Sequence, residues 1–350
     1  MTKISTTETD HYQQFCLANS KGMSVKIANL GGTIQSIVVP DRYGNLVDVA
    51  LGFGDVDSYV GLANSPYFGA IIGRYCNRIC RGQFKIDGTV FDLATNNGRN
   101  HLHGGISGFD QAIWQCATTL GEGYSEVRLQ YRSADSEEGY PGNLDVVVTY
   151  RLTEKCEIIV SYAATTDRPT HVNLTQHTYF NLKGEGNGDV LDHEVFLNAD
   201  RFTPVDSTSI PTGDIVSVTD TPFDFRTPKP IGLEIGDAHP QLVIGRGYDH
   251  NLLINGQLGE LTLAASVYEP SSGRVLEVLT EEPGVQFYTG NFLDGSLQGK
   301  SGSLYEQYGG FCLETQHYPD SPNQPEFPST LLRPGEEFKS QTVYRFSIRD

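Results

Sequence analysis

Basic residues are scarce in this chain. Lys and Arg number 25 against 43 Asp and Glu, a formal net charge of −18 over 350 residues. Such a surface repels phosphate backbones and anionic lipid, so neither nucleic acid nor a membrane is an expected partner. It also fails to gather anionic substrates, which favours a neutral ligand. Long apolar runs are missing too: nothing approaches the roughly 18 residues of a membrane span. Residues 1–20 are polar and lack the apolar core of a signal peptide. The six cysteines form no CxxC pair, and Cys76 and Cys80 make only a lone CxxxC, a weak metal signal. Free thiols and a cytoplasmic location are the expectation. A helical stripe of useful length is absent, with SYVGLANS and IGLEIGDA short helices at most. Without a repeat, a Ser/Gly linker or a low-complexity tract, residues 1–350 read as a single domain, expected as a monomer or weak dimer.

What remains is a period of two. Val127, Leu129 and Tyr131 alternate with polar residues in EVRLQYR; Val146, Val148, Tyr150 and Leu152 do so in DVVVTYRL; Ile158, Val160 and Tyr162 follow. These segments predict adjacent antiparallel strands. SIVVP and VDVALGF flank DRYGN as a second hairpin. With 38 Gly and 17 Pro to supply turns and 35 Tyr and Phe (18 and 17) to cover pleated surfaces, the fold class is all-β, a large antiparallel sandwich or barrel.

Function in such a fold belongs to loops and to one concave face. In GFCLETQHYPDSPNQPEFPS, residues 310–329, Glu314 ends an apolar run and is followed by Gln316, His317 and a Pro-broken loop. Desolvated by that approach, it is a candidate general base; the plain alternative is a strand-end Glu paired with a Lys or Arg. GRYCNRICRGQF puts Arg74, Arg78 and Arg81 in an Arg-poor chain, where a guanidinium fork can hold two neighbouring ligand oxygens or make an ordinary ion pair. In NHLHGG, His101 and His103 alternate, so a strand would aim them to opposite faces and a shared, cupin-like metal site is disfavoured. HVNLTQHTYFNL would display Asn173, Thr175, His177, Tyr179 and Asn181 as one polar row, which a ligand would satisfy more readily than the protein interior. Asp249 of RGYDHN is either a hydroxyl acceptor or an Asx-turn residue. Gln286, Tyr288 and Asn291 lie on a strand-like stretch after Pro283-Gly284. Neutral amides beside a carboxylate and a His suit an uncharged, polyhydroxylated ligand.

Taken in order, GRYCNRI, NHLHGG, NLTQHTYFNL, YDHN, PGVQFYTGNFLDG and GFCLETQHYPDSPNQPEFPSTLLRPGE resemble the aldose 1-epimerase family, the galactose mutarotases, from about Ile27 to Phe346. The resemblance implies a large antiparallel β-sandwich, the mutarotase-like supersandwich, with a sugar cleft on a concave face and no cofactor or metal. It implies Glu314 as general base and His177 as general acid, with His103 near the ring oxygen. Asn77, Arg78, Asp249 and Gln286 would hold sugar hydroxyls, Tyr179 would line the cleft, and Arg74 would be structural support. Gln176 stands where Asn is common in the family. The implied reaction is interconversion of the α and β anomers of free aldohexoses such as galactose and glucose. It would need Glu314 ionised and His177 at least partly protonated, and a nearby carboxylate is expected to raise the His pKa. The rivals are a glycosidase using Glu314 with Asp249, an idle sugar-binding module, and a hexose-phosphate epimerase.

Overall fold

A computed structural model describes residues 2–8, 11–62 and 66–349. Alternation sets its frame. In the strand Leu144–Thr153, the side chains of Leu144, Val146, Val148, Tyr150 and Leu152 are buried, and those between them are more exposed. Glu157–Thr166 repeats the pattern with Ile158, Val160 and Tyr162 inward. A strand with one apolar face must lay it on another layer. These two therefore form part of a nine-stranded sheet, in the order Gln115–Gly121, Tyr124–Ser133, Leu144–Thr153, Glu157–Thr166, Phe338–Ile348, Arg274–Thr280, Thr262–Tyr268, Glu194–Leu197, Lys229–Pro230. Every ladder in it is antiparallel.

The DRYGN hairpin joins Ile34–Pro40 to Leu46–Asp48 at one edge of a five-stranded sheet. Its turn follows from its residues. Asp41 Oδ1 accepts the backbone N–H of Tyr43 and of Asn45, at 2.8 Å each, and Gly44 takes φ 84°.

A six-stranded antiparallel sheet carries the rest of the argument: Tyr179–Phe180, Phe311–Gln316, Gly284–Tyr288, Asp249–Ile254, Ala199–Phe202, Val216–Ser217. Its central strands are buried on both faces. On one face Phe311, Leu313, Val285 and Phe287 join a single buried cluster with Val148, Val160 and Tyr344 of the nine-stranded sheet and Ile27 and Ile34 of the five-stranded one. Thr315 Oγ1 meets Thr342 Oγ1 of the large sheet at 2.6 Å, on the same side. The other face carries Cys312 and Glu314, and opposite Glu314 in register stands Gln286. The molecule is thus an antiparallel β-sandwich, as the alternation predicts.

Among the described residues, SYVGLANS enters only the 3-10 turn Asp57–Tyr59, its last three residues lying outside the described ones, and IGLEIGDA forms the 3-10 turn Ile231–Leu233. The α-helix Pro240–Gly245 is too short to show a period in sequence; proline opens it and the His239 ring caps the N–H of Gln241 at 3.3 Å. No helix of the described residues is long and apolar enough to cross a membrane. All six cysteines are free.

HVNLTQHTYFNL departs from the continuous strand expected of it. It breaks into the two-residue strands Thr170–His171, Thr175–Gln176 and Tyr179–Phe180, each paired elsewhere. The polar row therefore does not face one ligand. Asn173 clasps the backbone of His317, accepting its N–H at 3.0 Å and donating to its carbonyl at 3.1 Å. Asn181 donates to the carbonyls of Gly188 and Gly309. Only His177 and Tyr179 of the row reach the cleft.

Candidate active site

The free face of the six-stranded sheet floors a cleft of about 590 Å³. Glu314 and His177 lie at its base, 2% and 3% exposed, with His177 Nε2 3.6 Å from Glu314 Oε2. Glu314 comes from the strand Phe311–Gln316 and His177 from the break between Thr175–Gln176 and Tyr179–Phe180; Tyr179 pairs with Cys312, so two residues before Tyr179 and two after Cys312 the side chains converge. Tyr179 packs beside His177 at 5.2 Å between ring centroids.

Opposite stands the element formed by GRYCNRI and NHLHGG. Asn77 and His103 both take left-handed backbone, φ 61° and 52°, and bond to each other twice. The Asn77 N–H donates to His103 Nδ1 at 3.1 Å, and the His103 N–H donates to the Asn77 carbonyl at 3.2 Å. His103 is thereby turned into the cleft, ring to ring 5.1 Å from His177. His101 goes elsewhere, its two ring nitrogens bonded to the Ala94 carbonyl and the Tyr140 hydroxyl, each at 2.7 Å. The two histidines diverge as alternation expects, although a turn at His103 replaces the strand.

Arg78 lines the cleft with its Nε–H on Asn97 Oδ1 at 3.1 Å, and no other Lys or Arg does so among the described residues. Arg74, from the same motif, is buried away from the cleft. It donates to Ser133, Ala134, Pro141 and Gly142 and braces that loop. Asp249 lines the cleft and accepts the Gln286 amide N–H at 2.7 Å. Gln286 itself lies beneath Asp249, beside Glu314, and does not line the cleft. Asn77 and Tyr179 do.

The sequence reading missed Tyr67, Asn96, Asn97, Asp110 and Phe292, and it named Tyr288 without a role; all line the cleft. Tyr288 and Phe292 fall inside a motif already singled out; GFDQ at 108–111 and the Asn pair at 96–97 were the available signals for Asp110, Asn96 and Asn97, and Tyr67 carried none. Burial pushes Asp110 up to about 6.

Electrostatics reverse one expectation. Burial, with Asp249 adding to it and Arg78 opposing it, pushes Glu314 up to about 8. Burial pushes His177 down to about 4, against a smaller opposing effect of its own backbone carbonyl. The carboxylate does not raise the His: desolvation outweighs the attraction, because a neutral pair is cheaper to bury than a charged one. Between those values the pair holds one proton, resting on Glu314.

Ligand atoms of His103, His177 and Glu314 lie within 4.8 Å of one another. A divalent ion could span that distance. However, His103 Nδ1 already accepts the Asn77 N–H, so the neutral ring carries its proton on Nε2 and offers a donor to the cleft instead of a lone pair.

The fold and site are those of an antiparallel β-sandwich with a buried carboxyl–imidazole pair at the floor of a polar cleft. Comparison with known proteins gives the class its name. Residues 13–345 match the aldose 1-epimerase family model, and the chain belongs to that family. It is 48% identical to the galactose mutarotase of Bos taurus over 329 residues, 94% of this chain and 92% of the relative. It is 39% identical to the aldose 1-epimerase of Escherichia coli, over 96% of this chain and 95% of the relative. A solved aldose epimerase homologue from C. elegans superposes with a TM-score of 0.87 at 30% identity, covering both chains fully. The protein is accordingly an isomerase that interconverts sugar anomers.

Proposed function

We propose that the protein equilibrates the α and β anomers of free aldohexoses, galactose and glucose among them, by acid–base opening and closure of the ring, with Glu314 as base and His177 as acid. The observation that carries this is the buried Glu314–His177 pair, 3.6 Å apart on the cleft floor. A cyclic hemiacetal opens when its O1–H proton is removed while O5 is protonated and the C1–O5 bond breaks. One bond is thus worked by a base and an acid on adjoining oxygens. The resting proton lies on Glu314. A sugar O1–H donating to the carboxyl favours the carboxylate and shifts that proton to His177 Nε2. Glu314 then takes the O1 proton as His177 gives its own to O5. The open aldehyde turns about C1–C2 and recloses with the roles exchanged, so neither residue is consumed.

The remaining groups have only to hold hydroxyls while C1 turns. Asn77, Arg78 and Asp249, which line the cleft, take that part in this reading, and Gln286 works through Asp249. His103 Nε2–H is a donor suited to the ring oxygen. Tyr179 forms the wall beside His177. Arg78 as the single Lys or Arg lining the cleft among the described residues suits a neutral sugar better than a sugar phosphate, and the imidazole partner of Glu314 suits exchange at a hemiacetal better than a glycosidase's carboxylate pair.

The test is polarimetry. Freshly dissolved α-D-galactose or α-D-glucose is expected to reach its equilibrium rotation faster in proportion to added protein. A decay no faster than buffer alone, for both sugars, overturns the proposal.

A further inference from the structure

His177 can exchange a proton with Glu314 only through a nitrogen that carries a lone pair when the ring is neutral. Its Nε2 faces Glu314 Oε2. The resting proton of the ring must then sit on Nδ1 and needs an acceptor. Two are at hand. One is the residue's own backbone carbonyl. The other is Cys312 Sγ, 3.7 Å from Nδ1, within the longer reach of a sulfur hydrogen bond.

Cys312 is no bystander to this site. It is fully buried, pairs with Tyr179 across the sheet and shares the Glu314 face of its strand. Burial, then Glu314 and Asp249, hold its thiol well above the usual range, so it stays protonated and does not act as an anion or nucleophile. The other groups around the ring are His103, Tyr67 and Tyr179.

We propose that Cys312 is a positioning residue whose sulfur accepts the Nδ1–H of His177, holding the neutral imidazole in the tautomer that turns the Nε2 lone pair toward Glu314. This rests on the acid–base reading of the pair given above. A thiol suits the position because it is a weak acceptor. A carboxylate there would draw the proton onto the ring and keep it; an alkyl group would leave the ring free to change tautomer. Sulfur orients the ring and leaves the resting proton on Glu314, with the His177 Nε2 lone pair turned to receive it when sugar binds. His103 is held the other way, with Nδ1 occupied by the Asn77 N–H. The two cleft imidazoles thus have opposite tautomers: His103 a fixed donor, His177 an exchanger.

The test is long-range proton–nitrogen NMR of protein labelled with 15N-histidine, held near pH 6. The wild-type protein is expected to show His177 protonated at Nδ1 and His103 at Nε2. In Cys312→Ala the His177 nitrogens should move toward averaged values, and kcat should fall about tenfold with KM within about twofold. Cys312→Ser, which restores a donor–acceptor at the same place, should recover most of that kcat. A wild-type His177 protonated at Nε2 overturns the inference without any variant, whether or not the variants fold. So does a Cys312→Ala protein with unchanged nitrogen shifts, kcat and pH profile. A protein with the expected tautomers but inert toward free sugars overturns the acid–base reading of the site instead.

Discussion

Glu314 holds its proton because the fold withholds water from it, and function and stability pull in opposite directions there. Its carboxyl lies near 8 when folded, against about 4.3 in an unfolded chain. From the lower value to the higher, the unfolded chain has released a proton that the folded one retains, so stability falls as pH rises through this window. Glu314→Gln has no proton to lose. The variant is expected to melt with the wild type near pH 4 and increasingly above it up to about pH 8, by an amount worth a few kcal/mol; calorimetry across that range is the check. It should also lose about 10²–10⁴-fold in mutarotation rate while still binding sugar. A variant keeping most of its activity removes Glu314 from the role of base. The same pair predicts a bell-shaped profile for kcat/KM. The active form holds one proton, so activity should fall as a second is added toward pH 4 and as the first is lost above about 8. His177→Asn should abolish one limb and lower kcat far more than it raises KM; an unaltered profile with weakened binding would make His177 a hydroxyl-binding residue and His103 the better acid.

At the scale of elements, the strand Phe311–Gln316 joins core and site by alternation alone. Phe311, Leu313 and Thr315 face the large sheet, and Cys312 and Glu314 face the cleft. Leu313→Ala is therefore expected to cost about 2–5 kcal/mol in urea unfolding through the cavity it leaves. Its effect on KM should be small, since no atom that meets sugar is removed. A large KM change with little loss of stability would show that the strand does not separate the two faces. This strand was legible in sequence because its apolar approach and its polar exit are contiguous. HVNLTQHTYFNL was not. Alternation is a one-dimensional signal and cannot show that a segment hands over from one sheet partner to another every few residues, nor that Asn173 and Asn181 are absorbed by backbone groups distant in the chain.

Over the whole molecule, the net charge of −18 keeps the surface anionic, but a neutral sugar feels little of that field. Activity toward free hexose is expected to change by less than about twofold between low and roughly 0.5 M salt, measured polarimetrically. A steep salt dependence would point to a charged substrate and revive the sugar-phosphate alternative. Prolonged chelation should leave the rate unaltered, because His103 presents a proton and not a lone pair to the shared space. Activity lost to chelator and restored by one divalent ion would assign His103, His177 and Glu314 to a metal.

The sequence by itself determined the antiparallel β frame, since a period of two leaves an apolar face that only another sheet can cover. It also marked out Glu314, His177, His103, Arg78 and Asp249, because polar side chains that interrupt such a pattern need a reason to be there. Only the tertiary structure decided which of them meet. It parted His101 from His103 and sent Arg74 into the loop it braces. It placed Gln286 beneath Asp249 and brought Tyr67 and Phe292 into the cleft. It also decided where the proton rests: the sign of a pKa shift follows from the balance between desolvation and nearby charge, and burial is a property of packing that no local run of residues encodes.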